Sequence, residues 1–168
     1  MDHLELGSYF HSLDRSFFID GDMKKYAMLD EPLPIGYGQT ISQPSLVLEM
    51  TKLLEPEKEN KVLEIGEIGT GSGYQTALLA KMAAEVYTVE QIAELQDAAK
   101  KRLLALGFTN ILFKVGDGCL GWQEHSPYDR IIVTAAAREL PDELVSQLKP
   151  GGRLSFQSAR RNCKSLWL

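Results

Sequence analysis

The residues best suited to chemistry stand where apolar runs end. Gly69-Thr70-Gly71-Ser72-Gly73 follows the run that starts at Lys61, and Glu90 closes the run from Glu85. Asp117-Gly118 follows Ile111 to Val115, and Thr134 to Ala137 follow Arg130 to Val133. A glycine-rich turn admits a ligand close to backbone N–H groups and swings the chain sharply into a helix. Its Gly-x-Gly-x-Gly spacing differs from the Gly-x-Gly-x-x-Gly fingerprint that seats a pyrophosphate, so it suits a ligand without phosphate. Taken alone, an ordinary tight turn explains it equally well. Glu90 lies roughly 20 residues past the loop, where doubly wound proteins place an acid against ribose hydroxyls; the competing role is a solvated acid in the first turn of the next helix. Asp117 could accept from an adenine amino group or simply shape a turn. Together the stations line one crevice.

The elements that must position these stations follow from periodicity. Leu46, Val47, Met50, Leu53 and Leu54 share a helical face after Pro44, which suits a first turn. Lys61 to Ile65 reads as a buried strand, Tyr74 to Met82 as a helix, and the β-branched Glu85 to Glu90 as a second strand. Ile92, Leu95, Ala99, Leu103 and Leu106 recur at helical spacing until Gly107. Ile111 to Val115 and Arg130 to Thr134 are further strands. Pro141 to Leu148 reads as a helix, and a fifth strand is expected from Arg153. This alternation predicts an α/β fold, a mostly parallel sheet with helices on both faces, whose ligands bind beyond the carboxyl ends of the strands.

At 168 residues the chain suits one domain, 1–168. A net charge of −5 provides no basic field for nucleic acid or an anionic membrane. The opening residues carry no basic leader, and no apolar run approaches the ~20 residues of a membrane span. A cytoplasmic monomer is expected, with no nucleic-acid or membrane partner. Cys119 and Cys163 have no metal-knuckle spacing and read as unpaired thiols. No metal site is expected. His3, His11 and His125 fall away from the crevice stations, His125 on a surface loop.

LPIGYGQTISQP from Leu33 to Pro44, EIGTGSGYQ from Glu67, VGDGCLGW from Val115 and DRIIVTAA from Asp129 resemble the protein-L-isoaspartate O-methyltransferase family. The likeness runs from about Arg15 to Gly152. It implies a Rossmann-like fold that uses S-adenosylmethionine to methylate the free α-carboxylate of L-isoaspartyl residues in damaged proteins and peptides. It also implies that the methyl ester collapses to a succinimide, which opens partly to normal aspartate. By this resemblance Ser42 is the active-site serine and Thr40 and Ile41 flank the methyl donor. Glu67, Gly69, Gly71 and Gly73 form the donor loop, Glu90 holds ribose, and Asp117 with Gly118 meets adenine. Residues 1–43 would be a substrate and active-site segment and 44–168 the donor-binding core. For Ser42 the other available role is a helix N-cap ahead of Pro44.

The sequence departs from the family pattern in places. Glu64-Ile65-Gly66 is repeated at once as Glu67-Ile68-Gly69, and Ser155 to Ala159 reads SFQSA where the family has Val-Ile-Pro-Val-Gly. In a buried strand those polar side chains should lack partners, at ~1–3 kcal/mol each. The chain ends at Leu168, so the last strands are expected to be missing. For the repeated triplet, the expected arrangement seats Glu67 to Gly69 at the strand end and displaces Val62 and Leu63; the alternative keeps Lys61 to Ile65 in register and loops out the excess. A truncated remnant that at most binds the donor is one alternative function. An NAD-dependent dehydrogenase is another, although it leaves GQTISQP unexplained.

Overall fold

The computed structural model describes residues 3–65, 69–137, 141–158 and 163–167. A first helix, α1 (His3–Ser12), leads through short 3-10 turns at Arg15–Phe18 and Gly21–Tyr26 to an antiparallel hairpin, β1 (Leu33–Gly36) and β2 (Gln39–Ile41). Then strands and helices alternate: α2 (Pro44–Leu54), β3 (Lys61–Ile65), α3 (Tyr74–Met82), β4 (Glu85–Glu90), α4 (Ala93–Ala105) and β5 (Ile111–Val115). Beyond 3-10 turns at Gly118–Leu120 and Gln123–His125 come β6 (Tyr128–Ala137), α5 (Asp142–Ser146), β7 (Leu148–Ser158) and β8 (Cys163–Trp167). No helix among the described residues is long and apolar enough to cross a membrane.

The main sheet has the order β5-β4-β3-β6-β7-β8, with every pairing parallel except the last. From β3 the chain winds outward to β4 and β5, then returns to lay β6 on the other side of β3. The carboxyl ends of β3 and β6 therefore frame the switch point at which open α/β sheets bind ligands. Two of the crevice stations, the glycine loop and Thr134, meet there.

Why these segments pair is visible in their burial. Val62, Leu63, Val86, Val89, Ile131 and Ile132 are wholly shielded from solvent, as continuous apolar runs in a two-sided parallel sheet should be. One face packs Val62, Val86 and Ile132 with Met50 and Leu54 of α2 and Leu79 of α3; the other packs Leu63, Tyr87, Ile131 and Leu154 with Leu144 of α5. Leu6, Phe18, Ile19, Leu33 and Ile41 from the first part of the chain join Val47, Tyr74, Ala77 and Leu78. That contact seats the β1–β2 hairpin on α2 and α3.

Several expectations need correction. The last helix is shorter than Pro141 to Leu148, because β7 already begins at Leu148 rather than Arg153. A further strand that the sequence reading did not list, β8, pairs antiparallel with Arg153 to Gln157 of β7. Ser155 is fully buried but not stranded: its hydroxyl lies 3.5 Å from the Met50 carbonyl of α2. His125 is no bare loop residue, since its ring lies 4.8 Å from that of Tyr87 and 4.9 Å from that of Trp122 at the far end of the sheet from the crevice.

Candidate active site

A cavity of about 500 Å³ opens at the switch point, within the range of small-molecule sites. Thr40, Ile41, Ser42 and Gln43 of the N-terminal segment line it together with Gly69 to Ser72, Tyr74 and Gln75, Thr134 of β6 and Gln157 of β7. No Asp, Glu, Lys, Arg or His is among its described lining residues.

The glycine loop is shaped by what surrounds it. A Cβ on Gly69 would stand 2.2 Å from the Val89 carbonyl oxygen, so only glycine passes there. Gly73 adopts φ 89° as the N-cap of α3, and a Cβ there would press on Leu103 and Ala99 of α4. Between them, the Gly71 N–H donates to Glu90 Oε2 at 2.9 Å, and the Thr70 and Thr88 hydroxyls lie 2.7 Å apart.

Glu90 is therefore the loop's brace. It is wholly buried at the end of β4, and its Oε1 accepts the Ile92 N–H at 3.0 Å. Burial pushes its carboxyl up, opposed by the backbone N–H groups of Ile92, Gly71 and Gln91. With three N–H groups on its two oxygens, about one acceptor position of the carboxylate is left.

The repeated triplet is resolved differently from expectation. Lys61 to Ile65 stay in register with both neighbours, Glu64 opposite Thr88 and Ile132, and β3 ends at Ile65. Gly69 nonetheless returns to the strand end: its Cβ position would be 3.1 Å from Ile65 Cα. The Thr134 hydroxyl lies 3.3 Å from the Ile65 carbonyl and 3.4 Å from that of Gly69, so one side chain spans both ends of the extra segment. Strand and loop both keep their places, and Val62 and Leu63 stay in the sheet. Glu67 itself lies outside the described residues.

A second buried acid at this end of the sheet is Glu64, which the sequence pattern did not single out. It is completely buried, and its Oε2 accepts from the Thr76 hydroxyl at 2.6 Å. Burial raises its carboxyl to about 8, with the charge of Glu90 adding to the rise and hydrogen bonds from Thr76 and Thr88 opposing it. At neutral pH it is largely a protonated acid.

Arg15 is the second residue the sequence did not single out. Its guanidinium is buried and donates to the carbonyls of Ala27 (3.1 Å), Leu29 (3.0 Å), Glu31 (2.7 Å) and Ser42 (3.0 Å). One planar fork thus fastens the segment that delivers Ser42 to the cavity. An arginine collecting carbonyls leaves no spacing signal in the sequence.

Ser42 does not cap α2. Gln43 holds the N-cap position without a side-chain capping bond to the helix backbone, and Asp30 caps instead, its Oδ1 accepting the Ser45 N–H at 2.8 Å. Those bonds hold the Asp30 carboxyl below its usual range. The remaining predicted residues lie apart from this cavity: Asp117 accepts the Cys119 N–H at 2.9 Å as a turn former, and Gly118 is buried beside it beyond β5. Gly73 and Glu90 stand behind the loop rather than on the cavity wall.

The geometry agrees with comparisons to known proteins. The profile of the protein-L-isoaspartate(D-aspartate) O-methyltransferase family matches residues 3–161. A protein-L-isoaspartate O-methyltransferase of Dictyoglomus turgidum is 53% identical over 153 residues, 91% of this chain and 68% of that protein. One from Vibrio atlanticus is 54% identical over 142 residues, 84% of this chain and 67% of that protein. A solved protein-L-isoaspartate O-methyltransferase superposes with a TM-score of 0.81 at 31% identity, covering 98% of this chain and 54% of that one. A Plasmodium falciparum structure described as such an enzyme in complex with S-adenosyl-L-homocysteine gives 0.73 at 24% identity, covering 94% and 78%, and bears on the fold alone. The chain thus spans about two thirds of its curated relatives' length and about half of the first solved chain. With relatives more than half identical and the profile running through the loop, the hairpin and the switch point alike, the chain belongs to the protein-L-isoaspartate O-methyltransferase family.

Proposed function

We propose that this chain transfers a methyl group from S-adenosylmethionine to the free α-carboxylate of L-isoaspartyl residues in damaged proteins and peptides. The observation that carries this reading is that Ser42 and the loop Gly69 to Ser72 line one cavity. The donor fits the residues present: the loop can approach it closely because Gly69 has no side chain, and the buried Glu90 carboxylate lies directly behind Gly71.

When bound, S-adenosylmethionine supplies a methyl group on a cationic sulfur. Gly69, Gly71 and Gly73 would hold it, with Glu90 at the ribose, Thr40 and Ile41 alongside, and Asp117 with Gly118 toward adenine. The peptide carboxylate is ionised at neutral pH and already nucleophilic, so no general base is required. Ser42 holds this carboxylate by donating its hydroxyl, without removing a proton. A carboxylate beside a cation loses both charges on methylation, and the uncharged character of the described lining residues favours that loss. Holding the two reactants together supplies most of the remaining acceleration.

The test is methyl transfer from labelled donor to an isoaspartyl peptide, with its aspartyl isomer as control. Labelling of the first alone is expected; equal labelling of both, or donor binding with no transfer to either, defeats the proposal.

A further inference from the structure

We propose that Gln157 is a specificity-determining residue whose carboxamide hydrogen-bonds the peptide main chain beside the isoaspartyl residue. The inference rests on the methyltransferase reading above and adds a contact that the donor loop and Ser42 do not supply.

Its placement follows from how β7 meets α2. Arg153 donates to the Leu53 carbonyl at 2.8 Å, and the Ser155 hydroxyl lies 3.5 Å from that of Met50. The strand thus climbs toward the crevice as α2 is followed back toward its N-terminus. Alternation puts residues 153, 155 and 157 on one face; Leu154 and Phe156 point the other way, into the cluster with Leu144 and Leu148. One more step up the strand brings Gln157 level with the first turn of α2, just past Ser42 and Gln43. Its presence on the cavity wall with Leu46, Val47 and Ser42 agrees.

The other glutamines on that wall are committed within the protein. Gln43 Nε2 donates to Asp30 and Ser45, Gln75 Nε2 to the Thr51 hydroxyl, and Gln39 Nε2 to the Tyr37 carbonyl. Gln157 lines the same wall and makes no such bond to any described residue, which leaves the acceptor and two donors of its carboxamide available there. A peptide group offers the matching N–H and carbonyl.

The experiment compares wild type, Gln157→Leu and Gln157→Glu in steady-state methylation of an isoaspartyl peptide, with calorimetry of S-adenosylhomocysteine and of the peptide. For Gln157→Leu a rise in peptide KM of about fivefold is expected, near the worth of one neutral hydrogen bond, with kcat and ligand affinity at the donor site unchanged. Gln157→Glu should raise KM further, because its charge opposes the substrate carboxylate, and it supplies the test should the leucine variant misfold. Unchanged peptide KM in both variants, or a change confined to S-adenosylhomocysteine binding, overturns the assignment. A wild type that binds peptide without methylating it sinks the catalytic reading alone; peptide affinities then decide on Gln157. A wild type that binds no peptide overturns both.

Discussion

Two buried carboxyls with different partners do different work. Glu90 accepts backbone N–H bonds from the loop and from the start of α4, so removing it loosens Gly71 as well as any ribose contact. Glu90→Ala should weaken donor binding about tenfold or more, the usual worth of hydrogen bonds to a charged group. Glu94→Ala, an exposed first-turn change on α4, should leave it unaltered. Calorimetry giving equal affinities would take Glu90 out of the site. Glu64 carries a pH signature. Its carboxyl is raised from 4.5 to about 8 in the folded chain, so between those values the native state binds the extra proton. Its contribution to stability is fully present below the lower value and is lost as pH rises through the upper one. Glu64→Gln keeps an acceptor for Thr76 and has no proton to lose. Wild-type Tm should therefore fall relative to the variant between about pH 5 and pH 8; parallel profiles would mean that Glu64 is already ionised.

At the scale of elements, the hairpin and the donor loop are held by single side chains reaching from elsewhere. Arg15 collects carbonyls from Ala27 through Ser42, and lysine cannot reproduce a planar fork with several donors. Arg15→Lys should lower stability by about 2 kcal/mol or more and raise peptide KM while sparing donor affinity, because the glycine loop hangs from β3 and Glu90 instead. An unchanged peptide KM would show that the hairpin positions Ser42 without the clamp. Thr134 likewise spans Ile65 and Gly69 across the repeated triplet. Deleting Glu67, Ile68 and Gly69 leaves one copy of the motif and removes residues whose ordering costs entropy. A rise in Tm of a few degrees is expected, with donor affinity equal or tighter. A deletion that lowers both would make the extra triplet a working part of the site.

Across the whole molecule, β8 takes the edge position of the sheet that β7 would otherwise hold. β8 pairs along β7 from Arg153 to Gln157, and a chain ending at Ser158 would present unpaired N–H and carbonyl groups there. Such a truncation should lower Tm and increase light scattering on warming; a truncated chain as stable and soluble as the full one would show that β8 adds nothing. Much of this architecture was readable beforehand. The spans Lys61–Ile65, Tyr74–Met82, Glu85–Glu90 and Ile111–Val115 are written in local periodicity and bounded by turn residues, and the structure keeps each of them. The glycine loop and Ser42 stood out because their residue types are tied to short, contiguous motifs. What could not be read was anything set by contacts between distant residues. Glu64 occupies a buried strand position, because pairing with Thr88 and Ile132 holds it in the sheet. Ser155 finds a carbonyl on α2, Asp30 takes over the cap expected of Ser42, and Arg15 ties the hairpin down. Local sequence decides which backbone a segment prefers; which polar group meets which depends on chain folding that brings residues 3 and 155 into one body, and only the tertiary structure decided that.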